Sequence, residues 1–173
     1  GTDLLGNVTI PEGDPTDLET SLEVSLDASS ESYPLHTFNL LNDGVMEKIA
    51  KAFKLQPSEI AGATLDAGTV KADGFSGPAE GKVAVGLTNP DGKVSYAYSA
   101  NGIGFWIAAD GTASSWGDAP IYYEYDASGY GLTVGHNPGH SEKSKTYIIK
   151  PTMVYNKGGK LHKAVITIKM KFA

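Results

Sequence analysis

Residues 161–172 read Leu-His-Lys-Ala-Val-Ile-Thr-Ile-Lys-Met-Lys-Phe, and this stretch decides the fold. Ala164, Ile166, Ile168, Met170 and Phe172 recur at every second position, while Lys163, Thr167, Lys169 and Lys171 fill the places between, with Val165 the exception. A period of two belongs to a pleated strand whose side chains alternate between faces, one face packed and the other wet. Just upstream, Thr146–Tyr155 runs into Asn156-Lys157-Gly158-Gly159, a hairpin turn signal before the chain returns as the last strand. Pro151 has no amide hydrogen for a ladder, which predicts an edge position or a bulge at that point. The lysines of the last strand would discourage edge-to-edge pairing if that strand were exposed.

The same alternation recurs through the middle of the chain. Val83, Val85 and Leu87 precede an Asn89-Pro90-Asp91-Gly92 turn and are answered by Val94, Tyr96 and Tyr98. Ile103–Ala108 and Thr112–Trp116 flank Asp110-Gly111, and Pro120–Asp126 and Gly131–His136 flank Ser128-Gly129. Nearer the start, Leu22, Val24 and Leu26 alternate with Glu23, Ser25 and Asp27, and Leu35–Leu40 forms a further strand. Between these, Val45, Ile49, Ala50 and Phe53 change to helical spacing, with Asn42 or Asp43 placed to cap. One substantial helix is expected over residues 43–55, with a short turn from Pro57. Residues 66–81 read as a loop around a weak strand, and residues 1–19 as a linker or N-terminal tail. The expected architecture is mainly β: an antiparallel β-sandwich of about nine or ten strands with one inserted α-helix, a single domain over residues 20–173.

Composition narrows the chemistry. Of 173 residues, 14 are lysine and none is arginine, against 20 carboxylates, for a net charge of −6. An acidic chain without guanidinium forks is poorly suited to nucleic acid. No cysteine is present, which excludes disulfides, thiol catalysis and thiolate metal sites. Nine tyrosines outnumber five phenylalanines, the profile of a turn-rich β protein with a wet aromatic surface. No apolar run reaches the roughly 20 residues of a spanning helix.

The series Tyr98-Ser99-Ala100-Asn101-Gly102-Ile103-Gly104-Phe105-Trp106, Asp110-Gly111, Trp116-Gly117, Tyr123-Glu124-Tyr125-Asp126 and Val134-Gly135-His136-Asn137-Pro138-Gly139 carries a resemblance. With Ile49–Leu55, Pro57–Ile60 and Asn89–Gly92 upstream, it resembles domain of unknown function 4859, a family of secreted proteins and lipoproteins of Bacteroidetes in glycan-utilising settings. The resemblance covers about residues 40–173. It implies a cell-envelope or secreted location, as an outer-membrane lipoprotein or in the periplasm, and carbohydrate contact. It transfers no catalytic residue.

The aromatic residues are the first site candidates. Tyr96 and Tyr98 share one strand face, Tyr123 and Tyr125 share another, and Trp106 and Trp116 flank a tight turn. Tyrosine and tryptophan rings stack on the C–H faces of sugars while their polar edges meet hydroxyls. The same alternation also describes tyrosines lining a half-buried sheet, and Trp106 is expected in the core. Trp116, beside Asp118, is the better platform. The expected ligand-binding set is therefore Trp116, Tyr96, Tyr98, Tyr123, Tyr125 and Asp118. His136, His140 and Glu142 are weak metal candidates, since Pro138-Gly139 breaks the helical spacing of a zincin. Turn carboxylates at Asp91, Asp110, Asp118 and Asp126 leave calcium open, although no calcium-loop motif accompanies them, and no resident cofactor is expected. Glu124 and Asp126 form the best carboxylate pair for a glycosidase, without any supporting motif. The expectation is a non-catalytic envelope or secreted module that binds a glycan or polysaccharide. A structural or protein-interaction module with partners at the cell surface is the alternative, and a glycoside-active enzyme the third reading.

Overall fold

The computed structural model describes residues 8–28, 31, 33, 35–63, 70–72, 75–96, 103–126 and 130–173. Thirteen strands and two helices occur among them in the order β1 (Leu18–Leu26), β2 (Leu35–Asn39), α1 (Val45–Phe53), α2 (Pro57–Ala63), β3 (Val70–Ala72), β4 (Phe75–Gly77), β5 (Val83–Thr88), β6 (Val94–Tyr96), β7 (Ile103–Ile107), β8 (Ala113–Ser114), β9 (Ile121–Asp126), β10 (Gly131–His136), β11 (Thr146–Ile149), β12 (Pro151–Lys157) and β13 (Lys160–Phe172). The mainly β expectation holds. The strand count rises because β3 and β4 form where a loop around one weak strand is expected and because one long strand is split into β11 and β12.

Two sheets make the body. The first runs β1-β13-β12-β5-β6, with β11 also on β13, and the second runs β2-β10-β9-β7-β8. The hairpins read from Asp-Gly, Ser-Gly and Gly-Gly turns all form: β5 pairs with β6, β7 with β8, β9 with β10 and β12 with β13. One pairing departs from an all-antiparallel sandwich. β1 lies parallel to β13, with Leu18 opposite Ala164 and Leu26 opposite Phe172. β13 is therefore an interior strand, and one of its outward lysines finds a partner: Lys171 Nζ is 3.0 Å from Glu23 on β1.

Pro151 also sits inside the sheet rather than at an edge, between β13 and β5. β11 and β12 keep one register on β13, with Ile149 opposite Ile168 and Thr152 opposite Val165, so the chain breaks at Lys150 and resumes. Pro151 takes the first position of the resumed strand, where a missing N–H is tolerated. The Lys150 carbonyl accepts the Thr88 amide at 3.0 Å and the Thr152 hydroxyl at 2.8 Å, which keeps the interruption satisfied.

The alternating residues of β13 are all buried, and they meet Phe38, Leu132, Val134, Ile107 and Ile121 of the second sheet in one apolar core. Tyr123 crosses that core: fully buried on β9, it donates its hydroxyl to the Gly86 carbonyl on β5. Burial raises its ionisation well above the usual phenol range. A folded-state value above the unfolded value of about 10 means the contribution to stability is complete below that pH and lost as pH climbs past it. Tyr122, Tyr130 and Tyr155 are raised in the same direction, each first by burial. Melting temperature is therefore expected to hold between pH 7 and 9 and to fall from about pH 10 upward. Tyr123→Phe should melt lower at neutral pH, because the Gly86 carbonyl loses its donor, yet fall less steeply in alkali. A melting series across pH 7–11.5 on both proteins checks this.

α1 closes one side of the core. Val45, Met46, Ile49, Ala50 and Phe53 are buried, and the Phe53 ring lies 5.5 Å from that of Tyr155. Its cap differs from expectation: Gly44 takes the N-cap position at φ 82°, while Asp43 Oδ1 accepts the Val45 amide one step further in. The turn from Pro57 becomes a second helix, α2, because Glu59 reaches back to the Gln56 amide at 2.7 Å and half-completes a capping box. Described residues of the stretch read as a linker are tied to α1 and to the residue before α2. Gln56 clamps both backbone groups of Val8 at 3.0 and 2.8 Å, and the Thr16 amide donates to the Ala52 carbonyl at 2.7 Å.

Candidate functional site

Inward positions of the second sheet are fixed by its core residues, so the strand period assigns the outward ones. On β9, Ile121, Tyr123 and Tyr125 are buried, and Tyr122, Glu124 and Asp126 face out. Register then carries this phase across the sheet. Trp106 pairs with Tyr122 and with Ser114, Gly135 pairs with Tyr122 on the other side, and Leu35 pairs with Gly135. One row thus runs Leu35, Gly135, Tyr122, Trp106, Ser114 over all five strands. The next row runs Thr37, Thr133, Glu124, Gly104, with the two threonine hydroxyls 2.7 Å apart.

Two glycines shape this face. A Cβ on Gly135 would stand 2.5 Å from Cζ and Oη of Tyr122, so the phenol ring extends sideways over β10 and rests on bare backbone. A Cβ on Gly104 would run into the Tyr123 carbonyl and lie 3.0 Å from Cγ of Glu124. A ring lying along the sheet keeps its upper face available, and Tyr122 is only half-buried. The half-buried Trp106 ring abuts it, centroids 5.0 Å apart and planes at 59°. Burial, then the Glu124 carboxylate, then the Tyr33 phenol hold Tyr122 above the usual phenol range, which keeps its hydroxyl neutral. Tyr33 and Leu35 are themselves exposed.

The aromatic platform expected from sequence is assembled differently. Tyr123 and Tyr125 are buried, at 0% and 4% exposure, so neither ring reaches the surface; they share the phase of Ile121, not that of the carboxylates. Tyr96 is half-buried on the outward face of the first sheet, opposite Gly86, and Tyr98 lies outside the described residues. Trp106, expected in the core, lies in the outward row. Trp116 is exposed at 57% on the loop entering β9, beside the exposed Asp118 and with the His140 ring 6.4 Å away. Asn137, itself buried, pins that loop by donating to the carbonyls of Trp116 and Ala119, both at 2.8 Å.

The three weak metal candidates are not brought together. His136 is fully buried, its ring against Phe172 and bonded to the Ser141 hydroxyl; His140 is exposed; Glu142 pairs with Lys145 at 3.1 Å. Among the described residues no group of three His, Asp or Glu side chains is arranged to hold a metal ion. Asp91 and Asp110 each accept the backbone amide two residues on, at 2.9 and 3.0 Å, and so serve their turns. Glu124 and Asp126 are both exposed on an open sheet face instead of standing across a cleft. On the opposite side of the molecule, Asp17, Glu19, Thr88, Lys150, Lys163 and Val165 line a shallow depression of about 370 Å³.

The sequence of this sheet and its surroundings matches a family model. Residues 32–160 fit the Domain of unknown function (DUF4859), three-quarters of the chain. The protein belongs to the DUF4859 family. The matched span holds all five strands of the aromatic sheet, both helices and the hairpins between. β1 and nearly all of β13 fall outside it, yet they complete the first sheet and supply Ala164, Ile166, Ile168, Met170 and Phe172 to the core of this DUF4859 protein. Comparison with curated proteins and with solved structures returned no match.

Proposed function

We propose that this DUF4859 protein is a non-catalytic carbohydrate-binding module of the cell envelope or of a secreted protein. Its binding face is the outward side of the β2-β10-β9-β7-β8 sheet. The observation that carries the reading is the Tyr122 ring laid over Gly135 with Trp106 against its edge. A flat ring on an open sheet offers a pyranose C–H face somewhere to stack, and the Thr37, Thr133 and Glu124 row beside it offers partners for hydroxyls. Affinity electrophoresis against a panel of polysaccharides tests it. At least one polymer should retard the protein, and Trp106→Ala should weaken that retardation about tenfold, the effect of roughly 1.4 kcal/mol. Loss in Trp116→Ala with Trp106→Ala unaffected would move the site to the loop, and no retardation by any polymer would end the reading.

A second reading, contact with another protein, is favoured by the exposed Tyr33 and Leu35 at β2, an edge strand of its sheet. Unpaired backbone groups beside exposed apolar side chains suit strand addition by a partner.

A further inference from the structure

Charge is divided unevenly between the two sheets. β2, β7, β8, β9 and β10 contain no lysine, and the protein has no arginine, so Glu124 and Asp126 are the sheet's only formal charges. β13 alone holds Lys160, Lys163, Lys169 and Lys171 on the other sheet. Both carboxylates are exposed on the same face as Tyr122, and the Glu124 charge opposes ionisation of the Tyr122 hydroxyl. A ligand stacked on Tyr122 and Trp106 therefore lies one row, about 7 Å along the strand, from Glu124. The row from Leu35 to Ser114 crosses four strand spacings, about 19 Å, and gives a chain of several sugar rings room to lie across the strands.

We propose that the face selects its glycan by charge. Glu124, supported by Asp126, excludes uronate-bearing and sulfated chains, and the ligand is an uncharged polysaccharide lying along the Leu35–Ser114 row. This rests on the carbohydrate reading above and adds a class of ligand and a specificity-determining residue to it. Glu124 repels an anionic sugar through water at the sheet surface, where each unit charge at contact distance changes affinity several-fold and is screened within about 10 Å at 0.1 M salt.

The test compares one neutral oligosaccharide, chosen from a polymer that retards the protein, with the same oligosaccharide oxidised at C6 to the uronate. Calorimetric titration at low salt should show the uronate binding about tenfold more weakly, and 0.5 M salt should bring the two within about threefold. Glu124→Lys should raise the ratio of uronate to neutral-chain affinity about tenfold, whatever hydroxyl contacts the lost carboxylate takes from both. Equal affinities at low salt, or a Glu124→Lys protein that still rejects the uronate, would overturn the charge selection and leave the carbohydrate reading standing. If no neutral polymer binds, the carbohydrate reading falls and this specificity falls with it. A melting curve for Glu124→Lys indistinguishable from the parent shows that the change acts on recognition and not on folding.

Discussion

Phe53→Ala is expected to destabilise the protein by about 3–5 kcal/mol, the range for removing a buried phenylalanine ring. Phe53 ends α1 with no exposure, packs on Tyr155 of β12, and is followed at once by Lys54 in the left-handed conformation at φ 62°. The backbone reverses at that point, so the helix end cannot slide inward to refill the space, and most of the cavity should persist. Domains of this size are stable by about 5–15 kcal/mol, so the loss is a large share of the total. At roughly 2–4 °C per kcal/mol, melting should fall by about 6–20 °C. Phe53→Leu keeps most of the volume and should cost less than about 1.5 kcal/mol. The effect should also reach the N-terminal stretch, because Ala52 and Gln56 hold Thr16 and Val8. Amide exchange at Val8 and Thr16 is therefore expected to speed up in Phe53→Ala. A change below about 1 kcal/mol would mean that α1 is a detachable cover and not part of the core.

How much of this was legible in the sequence depends on the range of the interaction that decides each feature. Local alternation and turn chemistry located the hairpins, because Asp91-Gly92 and Gly158-Gly159 determine pairing between neighbours in the chain. The partner of β1 was not legible. Its parallel pairing with β13 joins segments more than a hundred residues apart, and no turn specifies it. Pro151 misled for the same reason. A missing donor says that one ladder bond is absent, but only the whole sheet shows that β5 and β13 close around the gap. The second helix hinged on the Glu59 carboxylate reaching the Gln56 amide, a short contact that Pro57 and Glu59 together had signalled as a turn.

The candidate face is legible in principle: the grouping of Tyr123 with Tyr125 holds, but the opposite side of that strand is the exposed one. In Ile121-Tyr122-Tyr123-Glu124-Tyr125-Asp126, pairing Tyr123 with Tyr125 looked natural because both are aromatic. The alternation already grouped them with Ile121, and grouped Tyr122 with the two carboxylates that need water. Trp106 obeys the same logic: Ile107 and the inward Phe105 take the core side, leaving Gly104 and Trp106 outside. What the sequence could not show is the orientation of the Tyr122 ring. That depends on Gly135, which is brought beside it only by cross-strand register.

That dependence yields the sharpest functional expectation. Gly135→Ala should abolish glycan binding, at least tenfold, while lowering melting by little. The atoms nearest the added Cβ would be those at the outer end of the Tyr122 side chain, 2.5 Å away at Cζ and Oη, and a half-exposed ring can swing clear without disturbing backbone. The cost to folding is therefore small, on the order of 1 kcal/mol for an altered rotamer. The cost to recognition is large, because a ring tipped off the sheet no longer presents its face in line with Trp106. Tyr122→Ala should lose binding to a similar degree, since it removes the same stacking surface. The double variant distinguishes a shared cause from two separate ones: if both act through the position of one ring, its binding loss should equal that of Tyr122→Ala alone, with a coupling energy close to the whole single-variant effect. Additive losses would mean that Gly135 contributes to the site by some route other than the tyrosine. Binding unchanged in Gly135→Ala would show that the flat ring is not the platform, and the carbohydrate reading would then have to rest on Trp116 and the loop that Asn137 holds in place.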